Sequence, residues 1–147
     1  MKLDNLLSSK RVSIVLVAFL LIGGLSYAGY EATSTSQFCR SCHVMEDAYQ
    51  SWYHSAHRSV VVSCTDCHMP KSLGYKLVYK VTSGTRDIYK NIAGPPDVIK
   101  AKEETIKIVN ENCKRCHAKM VAKINMNGRR CTDCHRYIPH GASLAER

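Results

Sequence analysis

No cysteine is to spare in this 147-residue chain, acidic side chains are scarce, and charge is missing altogether from one stretch of 19 residues. The first absence argues against a disulfide framework, because all eight cysteines belong to one repeated motif. The shortage of acid, 12 Asp and Glu against 21 Lys and Arg for a net charge of +9, favours anionic surfaces and acidic partners. The uncharged stretch marks a membrane span or an export signal. A chain this short has a small core of its own.

The motif is Cys-x-x-Cys-His, and it occurs four times: Cys39–Cys42–His43, Cys64–Cys67–His68, Cys113–Cys116–His117 and Cys131–Cys134–His135. This is the attachment signature of c-type haem. Two thiols form thioethers with the haem vinyl groups, and the adjacent histidine can reach the iron from one face. Zinc sites also use Cys-x-x-Cys pairs, and exported disulfide scaffolds also use many cysteines. Neither explains a histidine directly after every second cysteine. Four covalent haems are therefore expected. Their faces must supply much of the interior, so the apoprotein should fold poorly.

The uncharged run is Val12 to Tyr30. At 1.5 Å per residue it spans about 28 Å, close to the ~30 Å hydrocarbon core. Lys10 and Arg11 precede it, which places the N-terminus in the cytoplasm by the positive-inside rule. The rest then lies outside, where covalent haem c is found, and where nucleic acid is not a partner. Tyr27 and Tyr30 suit the outer interface. The competing reading is a cleaved signal peptide, for which Ser26-Tyr27-Ala28 offers a cleavage site. The run is longer than the usual apolar region of ~7–15 residues in a signal peptide, which favours a retained anchor.

The remainder reads as a duplication. Each half opens with Cys followed by a basic residue and closes with Cys-Thr-Asp-Cys-His, at 64–68 and 131–135. Met45 and Met120 follow the opening motifs; Pro70 and Pro139 follow the closing ones. The expected organisation is a cytoplasmic N-terminus (1–11), a transmembrane anchor (12–30) and a periplasmic tetrahaem domain (31–147). That domain divides into a di-haem half (39–70), an insertion (71–112) and a second di-haem half (113–140). Apolar residues at 45, 48, 49, 52 and 53 have helical spacing. Pro95-Pro96 breaks the chain, and Asp97 precedes a second helical pattern at Val98, Ala101, Ile106 and Val109. The fold class expected is mainly α, with short helices, long loops and almost no β.

Histidine is the limiting resource. Outside the motifs only His54, His57 and His140 remain. Four bis-histidine haems would need four more, so at least one iron is ligated otherwise, left open or completed by a partner chain. Methionine is an axial ligand elsewhere. Met45 lies too close to His43 for both to hold opposite faces of one iron; it can replace that histidine, or simply pack.

A short cytoplasmic N-terminus, one span and four haem motifs starting just outside the membrane resemble the NapC/NirT family of quinol dehydrogenases. Cys39-x-x-Cys42-His43-x-Met45, followed by Tyr49, Trp52 and Ser55-x-His57, is similar to the branch of that family serving cytochrome c nitrite reductase. The resemblance implies a retained anchor. It implies Met45 as protein ligand of the first haem in place of His43, with His68, His117 and His135 as motif ligands. It implies His57 and His140 as distal ligands, and leaves His54 to the surface or to hydrogen bonding.

The first part of the insertion, Lys71 to Asp87, mixes bases, tyrosines and aliphatics and suits a segment lying in the membrane interface. Oxidising a quinol releases two electrons and two protons, and needs a base beside the quinol oxygen. Lys80 and Asp87 are seven residues apart and can share a helix face. The bland reading of this stretch is that its bases meet lipid phosphates and Asp87 pairs with one of them. The resemblance implies instead that Lys80 and Asp87 border the quinol pocket. It also implies that electrons pass from menaquinol along four haems to a periplasmic reductase. The expected partner is the pentahaem catalytic subunit of the ammonia-forming cytochrome c nitrite reductase. Other outcomes are a dehydrogenase serving a nitrate or N-oxide reductase, and a multihaem shuttle without a quinol site.

Overall fold

The computed structural model describes residues 2–96, 99–138 and 140–141, with only the backbone for residues 2–8. Asp97, Val98 and Pro139, which entered the sequence reading, lie outside the described residues. The chain divides into two compact units, Met1–Ser34 and Thr35–Arg147.

The first unit is a single helix, α1 (Lys2–Ala32). Within it, Ser9–Ala32 is long and apolar enough to cross a membrane, and none of its residues is buried by the rest of the protein. A helix satisfies its own backbone polar groups, which a hydrocarbon surrounding demands. Gly23 and Gly24 do not interrupt it. At its C-terminal end, Thr33 and Ser34 donate their hydroxyls to the Gly29 and Tyr30 carbonyls, at 2.7 and 2.6 Å. These bonds occupy acceptors that the last turn leaves open.

The second unit is built from short helices around the motifs and two long ones. Helix α2 (Ser36–Arg40) starts at Thr35, whose hydroxyl accepts the Phe38 N–H at 3.2 Å. A 3₁₀ turn (His43–Met45) leads into α3 (Glu46–Tyr53), whose first residues, Glu46 and Asp47, suit the positive end of a helix. A second 3₁₀ turn (Ala56–Ser59) and α4 (Thr65–His68) follow. Helix α5 (Leu73–Ala93) ends at Gly94, whose φ of 103° suits glycine, just before Pro95-Pro96. Helix α6 (Glu103–Val121) and α7 (Cys131–Cys134) complete the order. No strand occurs among the described residues. Two differences from expectation stand out. Helices α5 and α6 run to 21 and 19 residues. The second helical pattern also starts at Glu103, after Ala101, and continues through the third motif.

Few apolar side chains are buried. Met69, Tyr79 and Ile108 form one cluster where the end of α4 meets α5 and α6; Ala48 and Trp52 are buried on α3. Polar bonds join the same elements. The Tyr79 hydroxyl lies 2.8 Å from that of Thr105, and Tyr75 donates to Glu104 at 2.7 Å. Buried Asn112 on α6 donates to the carbonyls of Cys67 and Met69 at 2.8 and 3.0 Å. Val60, Val62, Met120 and Ile124 remain exposed. So small a polypeptide interior leaves much apolar contact for bound groups to supply.

Candidate haem and electron-transfer site

Each motif sits on a helix or a turn that presents its two thiols: the first where α2 passes into the 3₁₀ turn, the second on α4, the third within α6, the fourth on α7. In a helix, residues three apart lie on one face, so Cys-x-x-Cys aims both sulfurs the same way. The motifs adjoin one another in chain order. The Cys39 thiol is pushed up mainly by its hydrogen bond to Cys64, which is pulled down by the same bond. Burial pushes the Cys67 thiol up, with Cys116 among the further contributors. Burial likewise raises Cys113, followed by the charges of Cys131 and Cys67. A thiol alkylated by haem no longer titrates. These effects identify neighbours: first motif beside second, second beside third, third beside fourth.

Two histidine pairs bridge distant parts of the chain. His68 of the second motif and His140 face each other with Nε2 atoms 3.4 Å apart, although 72 residues separate them in sequence. Burial, followed by the charge of His140, pulls His68 down to about 4, and burial also pulls His140 down. Burial thus favours the neutral form of both rings, the form that binds a metal. The Nδ1–H of His140 donates to the Ala48 carbonyl at 3.2 Å, so its Nε2 carries the free lone pair. The second pair is His57 with His117 of the third motif, ring centroids 6.2 Å apart and planes at 69°. The Nδ1–H of His117 points to the Met120 sulfur at 3.2 Å, again freeing Nε2.

The other candidates are placed differently. Met45 is half-buried at the end of its 3₁₀ turn, while His43 and His135 are exposed. His54 is also exposed and donates from Nδ1 to the Gln50 carbonyl at 2.9 Å. Trp52 is buried, yet its indole N–H meets no protein acceptor. It lies one helical turn from Ala48 on α3, and an acceptor such as a haem propionate would satisfy it. Paired thiols, facing neutral imidazoles and this orphan donor make a donor set that fits haem c. Sequence reasoning singled out Trp52 and Met120 without their roles here, and missed Asn112 altogether. The unpartnered signal for Asn112 was an asparagine inside a helical pattern, directly before Cys113.

Helix α5 carries Lys80 and Asp87. At 3.6 residues per turn, Leu73, Leu77, Val81, Ile88 and Ile92 form one stripe, and all five are exposed. Lys80 and Asp87 lie along the edge of that stripe. Lys80 is half-buried and close enough to Cys39 to oppose the upward push on its thiol. Asp87 is exposed and takes an ion pair from Arg86 at 3.2 Å. The two functional candidates thus share a face, with Lys80 directed to the first motif.

The NapC/NirT cytochrome c family, N-terminal region, matches residues 5–139. The chain belongs to this family. It accordingly carries covalently bound haem c and is membrane-anchored. It is 41% identical over 115 residues to cytochrome c nitrite reductase subunit NrfH of Nitratidesulfovibrio vulgaris, covering 76% of this chain and 71% of that one. It is 29% identical to cytochrome c-type protein NapC of Haemophilus influenzae over 90% of this chain and 82% of that one. Among solved structures it matches a chain of the cytochrome c nitrite reductase NrfHA complex bound to the inhibitor HQNO. The TM-score is 0.72 at 37% identity, over 87% of this chain and 90% of that one. The family member described here therefore has the expected fold: mainly α, with long loops and one N-terminal apolar helix.

Proposed function

We propose that the chain is the quinol dehydrogenase subunit of a cytochrome c nitrite reductase, anchored in the cytoplasmic membrane with its haem domain in the periplasm. The observation that carries this reading is the order of the motifs: four attachment sites adjoin in sequence, and Lys80 lies beside the first. Each haem c, when bound, supplies reversible one-electron iron chemistry. The residues do the rest. His68 with His140 would hold one iron, and His57 with His117 another. Met45 would ligate at the first motif and His135 at the fourth.

Lys80 binds the quinol oxygen at the edge of the apolar stripe, through which a long-tailed menaquinol arrives. A desolvated lysine amine can act as a base, so Lys80 holds the oxygen and takes one of the two protons. Asp87, exposed on the same face, takes the other proton; both protons are released to the periplasm, and the two electrons leave one at a time along the haem path. The partner that consumes the electrons is the pentahaem catalytic subunit. Relatedness to NrfH and to the NrfHA complex supports that choice.

Substitution tests the assignment. Lys80→Ala and Asp87→Asn should each slow menaquinol-driven haem reduction by roughly 10²–10⁴-fold, the contribution of one acid–base group. Reduction by dithionite, haem content and partner binding should stay at parent levels. Parent rates with menaquinol in both variants would leave α5 a lipid-facing surface only. Co-purification followed by identification of the bound protein checks the partner.

A further inference from the structure

We propose that Asn110 and Asn112 form a bracket that fixes the second and fourth haem motifs against the third, and thereby sets how fast electrons cross between them. The inference rests on the reading of the four motifs as an electron path. Helix α6 holds Cys113, Cys116 and His117 itself. Immediately before Cys113, Asn112 is 6% exposed and uses both protons of its amide nitrogen. They go to the Cys67 carbonyl at 2.8 Å and the Met69 carbonyl at 3.0 Å, on either side of His68. Two residues earlier, Asn110 accepts the backbone N–H of Cys131 at 2.8 Å through Oδ1. Cys131 opens both α7 and the fourth motif.

Two residues apart on a helix means about 200° of rotation, so the asparagines reach from opposite faces of α6. One holds the second motif and the other the fourth. The orientation of each amide follows from its partners. Backbone carbonyls only accept and a backbone N–H only donates. Asparagine is a weak helix former because its side chain competes for backbone bonds; here both side chains bond backbone of other segments. Neither residue ligates iron. Both are positioning residues, acting through Cys67, Met69 and Cys131.

The two asparagines should answer the same isosteric change in opposite ways, which a space-filling role would not produce. Asn110→Asp keeps the acceptor for Cys131 and should behave as the parent. Asn112→Asp removes both donors and sets a carboxylate against two carbonyls. Asn112→Leu removes them without adding charge, and Asn110→Leu removes the acceptor. Full-length protein in detergent, reduced by a short-chain naphthoquinol in stopped flow, supplies one readout. In Asn112→Asp, Asn112→Leu and Asn110→Leu the first phase of haem reduction should keep its rate. A later phase should slow severalfold, because electron transfer between haems falls off exponentially with their separation.

Magnetic coupling between neighbouring haems, read by electron paramagnetic resonance, should change in the same three variants and not in Asn110→Asp. Parent kinetics and parent coupling in Asn112→Leu and Asn110→Leu would overturn the bracket. A slow Asn110→Asp would overturn the donor and acceptor roles. If Asn112 variants fail to accumulate, the Asn110 pair alone decides. If quinol reduces no haem even in the parent, the dehydrogenase reading fails instead, and the coupling measurement still tests the bracket.

Discussion

Seven histidines and Met45 are the candidates for the iron positions, and the fold places them unequally. The motif repeats made the attachment cysteines legible from spacing alone, because each Cys-x-x-Cys-His acts locally. Distal ligation was not legible in the same way. That His140 meets the second motif and His57 the third depends on how α3, α4 and α6 pack, and no periodicity encodes it. Family resemblance supplied the expected ligands; the folded chain shows which histidine rings lie together. From this pairing, His140→Ala should convert the second-motif haem from low-spin to a perturbed or high-spin form, and His57→Ala the third-motif haem. Met45→Ala should leave both low-spin signals and alter a separate high-spin component at the first motif. Low-temperature electron paramagnetic resonance of the three variants separates these outcomes. An unchanged high-spin component in Met45→Ala would remove Met45 from the iron.

Helix α5 was half legible. Its bases, tyrosines and aliphatics pointed to an interfacial segment, and its helical form places Lys80 and Asp87 on one face as their spacing required. Its full length was harder to see, because Gly74 and Gly84 lie inside it and glycine weakens a helix prediction. Helix α6 was misjudged at its start for a different reason. The apolar period continues back to Ala101, but residues 99–102 are not helical, and Glu103 and Glu104 mark the N-terminus electrostatically. Helix α1 is the element whose fate is simplest to check. An apolar helix whose side chains the rest of the chain leaves unburied needs lipid, or else is removed on export. Carbonate washing should leave the protein in the membrane pellet, and Edman sequencing should begin at the N-terminus of the chain. A mature protein starting near Gly29 would instead identify α1 as a signal peptide.

Assembly depends on groups the polypeptide does not contain. With so few apolar side chains buried among the described residues, the haem-binding part of the chain needs its cofactors to be compact, and intact mass should exceed the apo mass by four haems; fewer, or bound zinc, would overturn the four-site reading. The same dependence extends to the partner subunit. His68 and His140 are committed to each other, and so are His57 and His117. His54 is held at the surface by the Gln50 carbonyl. His43 precedes Met45 on a turn too tight for both to serve one iron. That leaves His135 exposed at the fourth motif, and among the described residues no second histidine is paired with it. The fourth motif is also the far end of the motif order from Lys80, where electrons must leave. A side chain of the catalytic subunit is therefore expected to complete that iron. The isolated subunit should show a fourth-motif haem with one open position. Adding the catalytic subunit should shift that signal towards low spin while the haems of the second and third motifs stay fixed. Identical spectra for the isolated and assembled protein would place the exit ligand within this chain and refute a shared site.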